Sequence, residues 1–314
     1  MEGGYDVDEI LAVLPEKVRE MVVNLPSTTR ERIEEIRIRI SRPLEMVIDG
    51  RAVFPKYLDN QYLITASDAI HLLNQLSDYS LYALEEELKR GYITIRGGHR
   101  VGLAGKVITE KGQVKAIRDI SSFNIRVARQ KIGVAEAYTN YLFNNDEWHN
   151  TLIVGPPQTG KTTLLRDIAR IISEGKGTIP SMKIGIVDER SEIAGCVKGI
   201  PQHRLGNRVD VLDACPKAEG MMMLIRSMSP QVLIVDEIGR KEDSEAIMEA
   251  IHAGVKIITT VHGNKLEDVM DRPTLKELLK MNVFTRCIEL ARGFQPGKIK
   301  RIRDESGKDV VRIH

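Results

Sequence analysis

The chain has 314 residues, and its 46 lysines and arginines nearly balance its 44 aspartates and glutamates, which gives a formal net charge of +2. This length fits two soluble domains of ordinary size, and the charge balance argues against a chain-wide nucleic-acid-binding surface, although a local basic stripe is compatible with it. No apolar run approaches the roughly 20 residues of a membrane-spanning helix, so we expect any membrane association to come through a partner protein.

The three cysteines are isolated in the sequence and odd in number. They are Cys196, Cys215 and Cys287, and none belongs to a C-x-x-C pair. This pattern supports neither a disulfide framework nor a zinc site. It predicts three buried small hydrophobic residues in a reducing compartment, which favours the cytoplasm.

The N-terminal part of the chain predicts a mixture of helices and strands. Residues 9–25 have helical spacing, and the alternation of isoleucine with arginine over residues 36–40 predicts a strand with its arginines on one face. A helical stretch is predicted from Ser67 to Leu88, with a break near residues 77–79. Residues 92–129 alternate through short runs separated by glycine-containing turns, and they predict an antiparallel meander.

Five basic residues recur in this meander, and strand alternation can collect several of them on one face. They are Arg96, His99, Arg100, Arg118 and Arg126. The favoured interpretation is a solvated sheet face, since charged side chains are mostly exposed. The alternative is a clamp over a nucleotide or a nucleic acid.

From about residue 150 the pattern changes to apolar strands that alternate with helical stretches. The apolar runs are TLIV, KIGIVD, VLIVD, VKIITTV and FTRCIEL. Such strands, apolar on both sides and separated by helices, predict a parallel sheet covered on both faces, which is an α/β fold. We therefore predict an N-terminal α+β domain over residues 1–145 and an α/β domain over 146–314. A capping box is predicted to start a helix at Thr274, and the tail predicts a hairpin around Ser306.

The segment GPPQTGKT follows the first apolar run and precedes the helical stretch TLLRDIARII, which is the context of a phosphate-binding loop. Glycines at its two ends let backbone N–H groups converge on an anion at the start of the helix. Lys161 can then reach the β and γ phosphates of ATP, and the Thr162 hydroxyl can ligate Mg²⁺. The predicted nucleotide-binding residues are Gly155, Pro156, Pro157, Gln158, Thr159, Gly160, Lys161, Thr162 and Thr163.

Two of the other apolar strands end in acidic residues. VLIVDE predicts that Asp236 holds Mg²⁺ and that Glu237 orients and deprotonates the attacking water, because ligands of open α/β sheets bind at the carboxyl ends of the strands. KIGIVDER places Glu189 and Arg190 at the same edge. Glu189 is either a second carboxylate that positions Mg²⁺ or water, or one half of a loop ion pair.

Further candidates follow along the chain. His262 ends a third apolar strand, where a side chain that contacts the γ-phosphate can sense its loss, although a lone histidine is more often structural. Arg226 precedes the VLIVDE strand and Arg240 follows it. Arginines of oligomeric P-loop enzymes neutralise charge on the transferred phosphoryl group, often across a subunit boundary, whereas most surface arginines have no such role.

These elements stand in the order GPPQTGKT, IVDERSE, SMSPQ to DEIGR, and TTVHG. The order resembles the Walker A, Asp box, Walker B and His box of the ATPases of type II and type IV secretion systems and pilus motors. The segments EIRIRISRP, GGHRVGLAGKV and SSFNIRVAR extend the resemblance to the stage III sporulation protein AA family over nearly the whole chain.

The resemblance implies a RecA-like P-loop NTPase core, an N-terminal α+β domain that folds over the nucleotide, and a hexameric ring. It implies an ATPase that uses ATP and Mg²⁺ at the cytoplasmic face of a membrane, bound through protein partners to a channel or secretion complex during endospore formation. Secretion ATPases usually have Gly-Glu where this chain has Asp236-Glu237. The division of labour between Glu189 and Glu237 therefore stays open.

The sequence thus favours an ATP-driven motor. One alternative is a RecA-like ATPase that acts on single-stranded nucleic acid, which the 4% aromatic content disfavours because base-stacking platforms need aromatic rings. Another is a nucleotide-dependent assembly switch with little turnover, against which the acidic pair at positions 236 and 237 argues.

Overall fold

A computed structural model of the chain describes residues 7–78, 85–293 and 296–313. These residues form two compact units, one ending at Arg129 and the other beginning at Gln130. Each unit has its own sheet and its own buried apolar core.

The first unit contains a six-stranded sheet in which every strand is antiparallel to its neighbours, in the order β3-β2-β1-β6-β5-β4. Its strands are β1 (Ile33–Arg39), β2 (Glu45–Ile48), β3 (Arg51–Val53), β4 (Tyr92–Thr94), β5 (Arg100–Glu110) and β6 (Gln113–Arg126). Its helices are α1 (Asp8–Val13), α2 (Glu16–Val23), α3 (Ser27–Arg30), α4 (Ala66–Leu76) and α5 (Glu85–Arg90).

The predicted alternation in β1 is confirmed. Ile36 and Ile38 are fully buried, whereas Arg37 and Arg39 lie on the other face and form ion pairs of 2.6 Å with Glu35 and Glu45. The predicted helix over residues 9–25 is two helices, because Pro15 lacks the N–H that a continuous helix needs and is the N-cap of α2 instead. The predicted break near residues 77–79 falls partly on Tyr79, which lies outside the described residues.

The meander is confirmed as β4, β5 and β6, and its strands bring two of the basic residues, Arg100 and Arg126, to one face, whereas His99 is buried. Arg100 and Arg126 are opposite each other in the β5–β6 register, and Arg100 stacks 3.4 Å from the centre of the Tyr92 ring. His99 is buried, and its Nδ1 accepts a 3.0 Å hydrogen bond from the backbone N–H of Ala128. His99 is therefore held by the fold of this unit.

The second unit contains a mixed eight-stranded sheet in the order β11-β10-β12-β13-β9-β14-β15-β16, beside a small β7–β8 hairpin. The strands are β7 (Phe143–Asn144), β8 (Glu147–Trp148), β9 (Thr151–Gly155), β10 (Ile184–Asp188), β11 (Val209–Asp213), β12 (Val232–Val235), β13 (Lys256–His262), β14 (Arg286–Leu290), β15 (Ile299–Asp304) and β16 (Asp309–Arg312). The helices are α6 (Thr139–Leu142), α7 (Lys161–Glu174), α8 (Lys217–Ser227), α9 (Lys241–His252), α10 (Glu267–Met270) and α11 (Pro273–Lys280).

Strands β11, β10, β12, β13, β9 and β14 run parallel to one another. The apolar runs predict five of them, and β11 is an additional strand that the sequence pattern does not predict. Alternate residues of these strands enter two separate apolar cores. Ile153 and the residues of neighbouring strands that point to the same face pack with α7. Leu152 and the residues of neighbouring strands that point to the other face pack with α8, α9 and α11. This covering of both faces leaves the carboxyl edge of the sheet as the place for a ligand.

The boundary between the units falls 16 residues before the predicted one at 145/146. Residues 130–145 pack with the second unit, because Ala135 and Leu142 lie in its core and the backbone N–H of Gly133 and Ala135 donates to Asp167 of α7, at 3.1 and 2.8 Å. No change of composition in the sequence marks this point.

The C-terminal residues extend the main sheet. The predicted hairpin is confirmed as β15 and β16, which pair antiparallel next to β14. The predicted capping box at Thr274 is wrong, because α11 begins with Pro273 and its N-cap is Arg272, with no side-chain capping bond. Within the three described ranges, no helix has both the length and the apolar character that crossing a membrane requires.

Candidate functional site

The glycine-rich loop, residues 155–162, joins the end of β9 to the start of α7. Gln158 and Gly160 have left-handed backbone, with φ of 63° and 86°. A Cβ on Gly155 would lie 2.6 Å from the Thr159 hydroxyl, and a Cβ on Gly160 would lie 2.2 Å from the backbone nitrogen of Gly297. Both glycines are therefore needed for the path of the loop, which brings backbone to the N-terminus of a 14-residue helix.

Alanine at Gly160 is expected to lower the free energy of unfolding by about 2 kcal/mol or more, because it combines left-handed strain with the clash against Gly297. The matched control is Gly254→Ala, which has a similar φ of 76° but meets no atom within 4 Å of the new Cβ. We expect that control to cost about 1 kcal/mol. Urea unfolding of both variants measures the difference, and equal losses would contradict the close contact with Gly297.

Lys161 is the first residue of α7 and is only 7% exposed. Its amine donates to the carbonyl oxygen of Pro156 and to Nδ1 of His262, both at 3.1 Å. Burial lowers the pKa of Lys161, and the nearby carboxylates of Asp236 and Glu237 partly offset this. A partly desolvated amine beside the glycine-rich loop is a strong site for an anion, since binding one replaces lost hydration.

Asp236 follows β12, and two hydroxyl groups donate to its carboxylate. The Thr162 hydroxyl donates to Oδ2 at 2.8 Å, and the Thr260 hydroxyl donates to Oδ1. Thr260 also accepts a 2.9 Å bond from the backbone N–H of Glu237. A carboxylate and a hydroxyl side by side form the oxygen donor set that Mg²⁺ prefers.

Glu237 has both carboxylate oxygens engaged. Oε1 lies 2.7 Å from Nε2 of His262, and Oε2 accepts a 2.9 Å bond from the Arg190 guanidinium. Because the Lys161 amine can only donate, Nδ1 of His262 accepts and its proton is assigned to Nε2, facing Glu237. A continuous chain of contacts thus runs from Lys161 through His262 and Glu237 to Arg190.

The turn after β10 is held from inside by two buried charges. The Asp188 carboxylate accepts backbone N–H bonds of 2.8 to 3.0 Å from Glu192, Ile193 and Ala194. Arg166 of α7 donates to the carbonyl oxygens of Glu192 and Ile193, at 2.8 and 2.7 Å. Burial lowers the pKa of Arg166 to about 10. These contacts fix the turn that carries Glu189 and Arg190.

Burial raises the pKa of Asp188 to about 6 in spite of its backbone partners, and the charge of Asp213 adds to the shift. Because this pKa lies above the unfolded value of 3.8, the folded state binds the proton more tightly, and stability rises as the pH falls through about 6. Asp188 should contribute about 1 kcal/mol of added stability between pH 7 and pH 5. Urea unfolding of wild type and Asp188→Asn at the two pH values tests this, since only the wild type should show this increment.

Glu189 lies beside Glu237 in a cleft at the carboxyl edge of the sheet. Its Oε2 accepts a bond from the Lys217 amine, and its Oε1 lies 4.0 Å from the Arg240 guanidinium. The residues that line this cleft are Asp188, Glu189, Arg190, Glu192, Lys217, Asp236 and Glu237. The ion-pair alternative for Glu189 is therefore present in the structure, and it lies within the cleft rather than apart from it.

The structure brings most of the predicted residues together, with one exception. Arg240 is the N-cap of α9 and its side chain is 72% exposed beside the cleft. Arg226 is an exposed residue in the last turn of α8, whereas the cleft residue Lys217 begins the same helix. The length of α8 therefore separates Arg226 from the cleft within one chain.

Several residues of the site are missing from the sequence prediction. Thr260 is a polar residue in an apolar strand, and that signal could have identified it. Arg166 and Lys217 have no distinguishing sequence signal, because basic residues are common on helices. Gly297, whose N–H donates to the Thr159 carbonyl at 2.8 Å, follows the loop by more than a hundred positions, so local patterns cannot connect the two.

The residues present fit ATP and Mg²⁺. The close-packed glycines leave backbone, rather than side chains, around the loop where phosphates bind in such folds. Lys161 supplies a partly desolvated cation, and Thr162 with Asp236 supplies oxygen donors for a hard divalent ion.

Solved structures with the same fold include an ATPase and a pilus retraction motor. The ATPase DotB of Yersinia pseudotuberculosis matches with a TM-score of 0.59 at 14% identity, covering 89% of this chain and 77% of that one. The pilus retraction motor PilT, solved with bound ADP, matches with a TM-score of 0.57 at 17% identity, covering 90% and 77%. The chain therefore has the fold of the RecA-like P-loop class of proteins.

Within that class the family is defined by sequence. The chain belongs to the family "Sporulation stage III, protein AA", whose profile matches residues 6–310. It is similar to the stage III sporulation protein AA of Bacillus subtilis (strain 168), with 57% identity over 306 residues that cover 98% of each protein. The resemblance stated from the sequence motifs is thereby confirmed.

Proposed function

We propose that this chain is an ATP-hydrolysing motor of the secretion-ATPase type that acts in endospore formation. The observation that carries the proposal is the connected set of side chains at the carboxyl edge of the sheet. Thr162 bonds to Asp236, and Lys161 is joined through His262 to Glu237. A protein that only bound nucleotide would need Lys161 for the phosphates and Thr162 with Asp236 for Mg²⁺. It would not need a further carboxylate, such as that of Glu237, next to them.

Each residue in this set has a distinct task in the proposed reaction. Lys161 and the backbone of the glycine-rich loop bind the β and γ phosphates, and Thr162 with Asp236 holds Mg²⁺, which neutralises charge on those phosphates. Glu237 accepts a proton from the attacking water. His262 contacts both Lys161 and Glu237, so a change at the phosphate can be relayed to the acid through its ring.

The proposal is tested by measuring phosphate release from ATP by the purified chain, with Mg²⁺ and with the metal chelated. We expect steady turnover that stops when the metal is removed. ATP binding without turnover under all conditions, including in the presence of membrane partners, would support the assembly-switch alternative and reject the motor.

Single-stranded DNA added to the same assay separates the motor from the nucleic-acid alternative. We expect little change in turnover, because the charge balance and low aromatic content of the chain offer no extended stacking surface. A several-fold stimulation that falls steeply with salt would instead assign the chain to nucleic acid.

The proposal extends to a homohexameric ring bound through protein partners to a channel or secretion complex at the cytoplasmic face of a membrane. It is supported by the resemblance to secretion ATPases and by the exposure of Arg226 and Arg240, which are free of the packing constraints of the core. In a ring, an exposed arginine of one copy can neutralise phosphate charge in the next.

Light scattering during gel filtration, with a non-hydrolysable ATP analogue and Mg²⁺, tests the ring. A particle of about six times the chain mass of 35.3 kDa is expected. A monomer at high protein concentration would reject the ring and every role of Arg226 in a neighbouring site. If the ring forms, Arg226→Ala should lower turnover only in the assembled protein.

A further inference from the structure

Lys217 occupies an unusual position for a lysine. It is the first residue of α8, where the helix dipole makes a positive charge unfavourable. Its side chain is nevertheless only 10% exposed, and its amine donates to Oε2 of Glu189. A buried cation at the positive end of a helix needs an anionic partner, and Glu189 provides it.

Arg240 is a second cationic neighbour of Glu189. Arg240 lies 4.0 Å from Oε1, and its side chain is 72% exposed. At that distance and exposure an ion pair contributes little, because water and salt screen it. The position of the Glu189 carboxylate therefore depends mainly on Lys217.

The pair lies in the wall of the candidate site. Lys217 and Glu189 line the same cleft as Asp236 and Glu237, and the turn that carries Glu189 is fixed by Asp188 and Arg166. Backbone and side chain of Glu189 are thus held from two directions. An isolated surface ion pair does not need support of both its backbone and its side chain. A group that must orient a small ligand does need both.

We propose that Lys217 is a positioning residue that holds the Glu189 carboxylate at the rim of the nucleotide cleft, with Oε2 engaged and Oε1 directed to the water that Glu237 deprotonates. This inference rests on the proposed ATPase function and deepens it. Lys217 does not touch the reacting atoms in this arrangement. It acts through Glu189, and it keeps that carboxylate from joining the donor set of Asp236 and Thr162.

The test is a double-mutant cycle on the full chain, with kcat and KM for ATP measured separately. Lys217→Met should lower kcat about tenfold with KM nearly unchanged, because positioning affects the reaction more than ground-state binding. In a Glu189→Gln background the same substitution should have no further effect. Lys217→Arg should restore most of kcat, since a guanidinium can still donate to Glu189.

The matched control is Lys256→Met. Lys256 forms a 2.6 Å ion pair with Glu147 at the amino end of β13, the opposite end from His262. We expect unchanged kcat. Urea unfolding and binding of a fluorescent ATP analogue are measured for every variant, and Lys217→Leu, which likewise has no donor, replaces Lys217→Met if the latter does not fold.

Wild-type kcat in Lys217→Met, or an additive loss in the Glu189→Gln background, would overturn the positioning role. An absence of ATP turnover in the wild type would instead reject the proposed function itself. Loss of nucleotide binding in Lys217→Met with kcat preserved would also overturn the inference, since it would assign Lys217 to ground-state binding.

Discussion

Replacement of Lys161 by alanine is expected to lower ATP turnover by about a thousandfold or more. The amine is the one side-chain cation placed at the start of α7, it is 7% exposed, and its present partners are a carbonyl oxygen and a histidine. Neither of these direct partners is a carboxylate, so the amine is available to a phosphate. Its removal takes away the main electrostatic attraction between the glycine-rich loop and the γ-phosphate.

The measurement is phosphate release together with binding of a fluorescent ATP analogue. Both should fall, whereas the free energy of unfolding without nucleotide should change little or rise, because the lowered pKa shows that the amine is partly desolvated. Lys256→Met is the control for loss of a lysine elsewhere in the same unit. Turnover within tenfold of wild type would remove Lys161 from the site.

Glu237→Gln is expected to lower kcat by about a hundredfold to ten-thousandfold while nucleotide binding persists, because an amide cannot accept the proton of water. Glu237 is adjacent in sequence to Asp236 and contacts His262 directly, at 2.7 Å. Both glutamates have a cationic partner, but the Arg190 partner of Glu237 is 60% exposed, whereas the Lys217 partner of Glu189 is only 10% exposed and holds that carboxylate more firmly. We therefore expect Glu189→Gln to lower kcat only about tenfold.

Single-turnover hydrolysis by the two glutamine variants separates their roles, and the binding assay confirms that each still takes up nucleotide. Glutamine has nearly the shape of glutamate, so the comparison removes a charge without opening a cavity. A larger loss for Glu189→Gln than for Glu237→Gln would reverse the assignment and make Glu189 the base.

The sequence predicts the parts of the structure that depend on local pattern. The fully apolar runs around Ile153 and Ile234 predicted parallel strands, and the glycine spacing at 155 and 160 predicted the loop. The position of the acidic pair at 236 and 237 was also predicted, because a residue at the carboxyl end of a buried strand must lie at the sheet edge. Each of these features can be predicted from residues that are close together in the sequence.

The remaining features depend on contacts between distant residues. Asp167 draws residues 130–145 into the second unit through two backbone N–H bonds, so the unit boundary lies where no composition change marks it. Lys217 reaches Glu189 across 28 positions, and Arg166 reaches Ile193 across 27. Strand β11 was not predicted, because its residues are only half-buried and two of them are aspartates, so it lacks an apolar run.

The C-terminal strands have a consequence for the order of synthesis. The carbonyl of Thr159 and the backbone of Gly160 rest against residues 296–297, and β9 pairs with β14. The ribosome makes these partners long after it makes the glycine-rich loop. Until β14 emerges, at least one edge of β9 is unpaired, and it invites association with other chains. An unfinished chain therefore lacks a complete loop, and we expect ATP consumption to begin only when synthesis has passed residue 297.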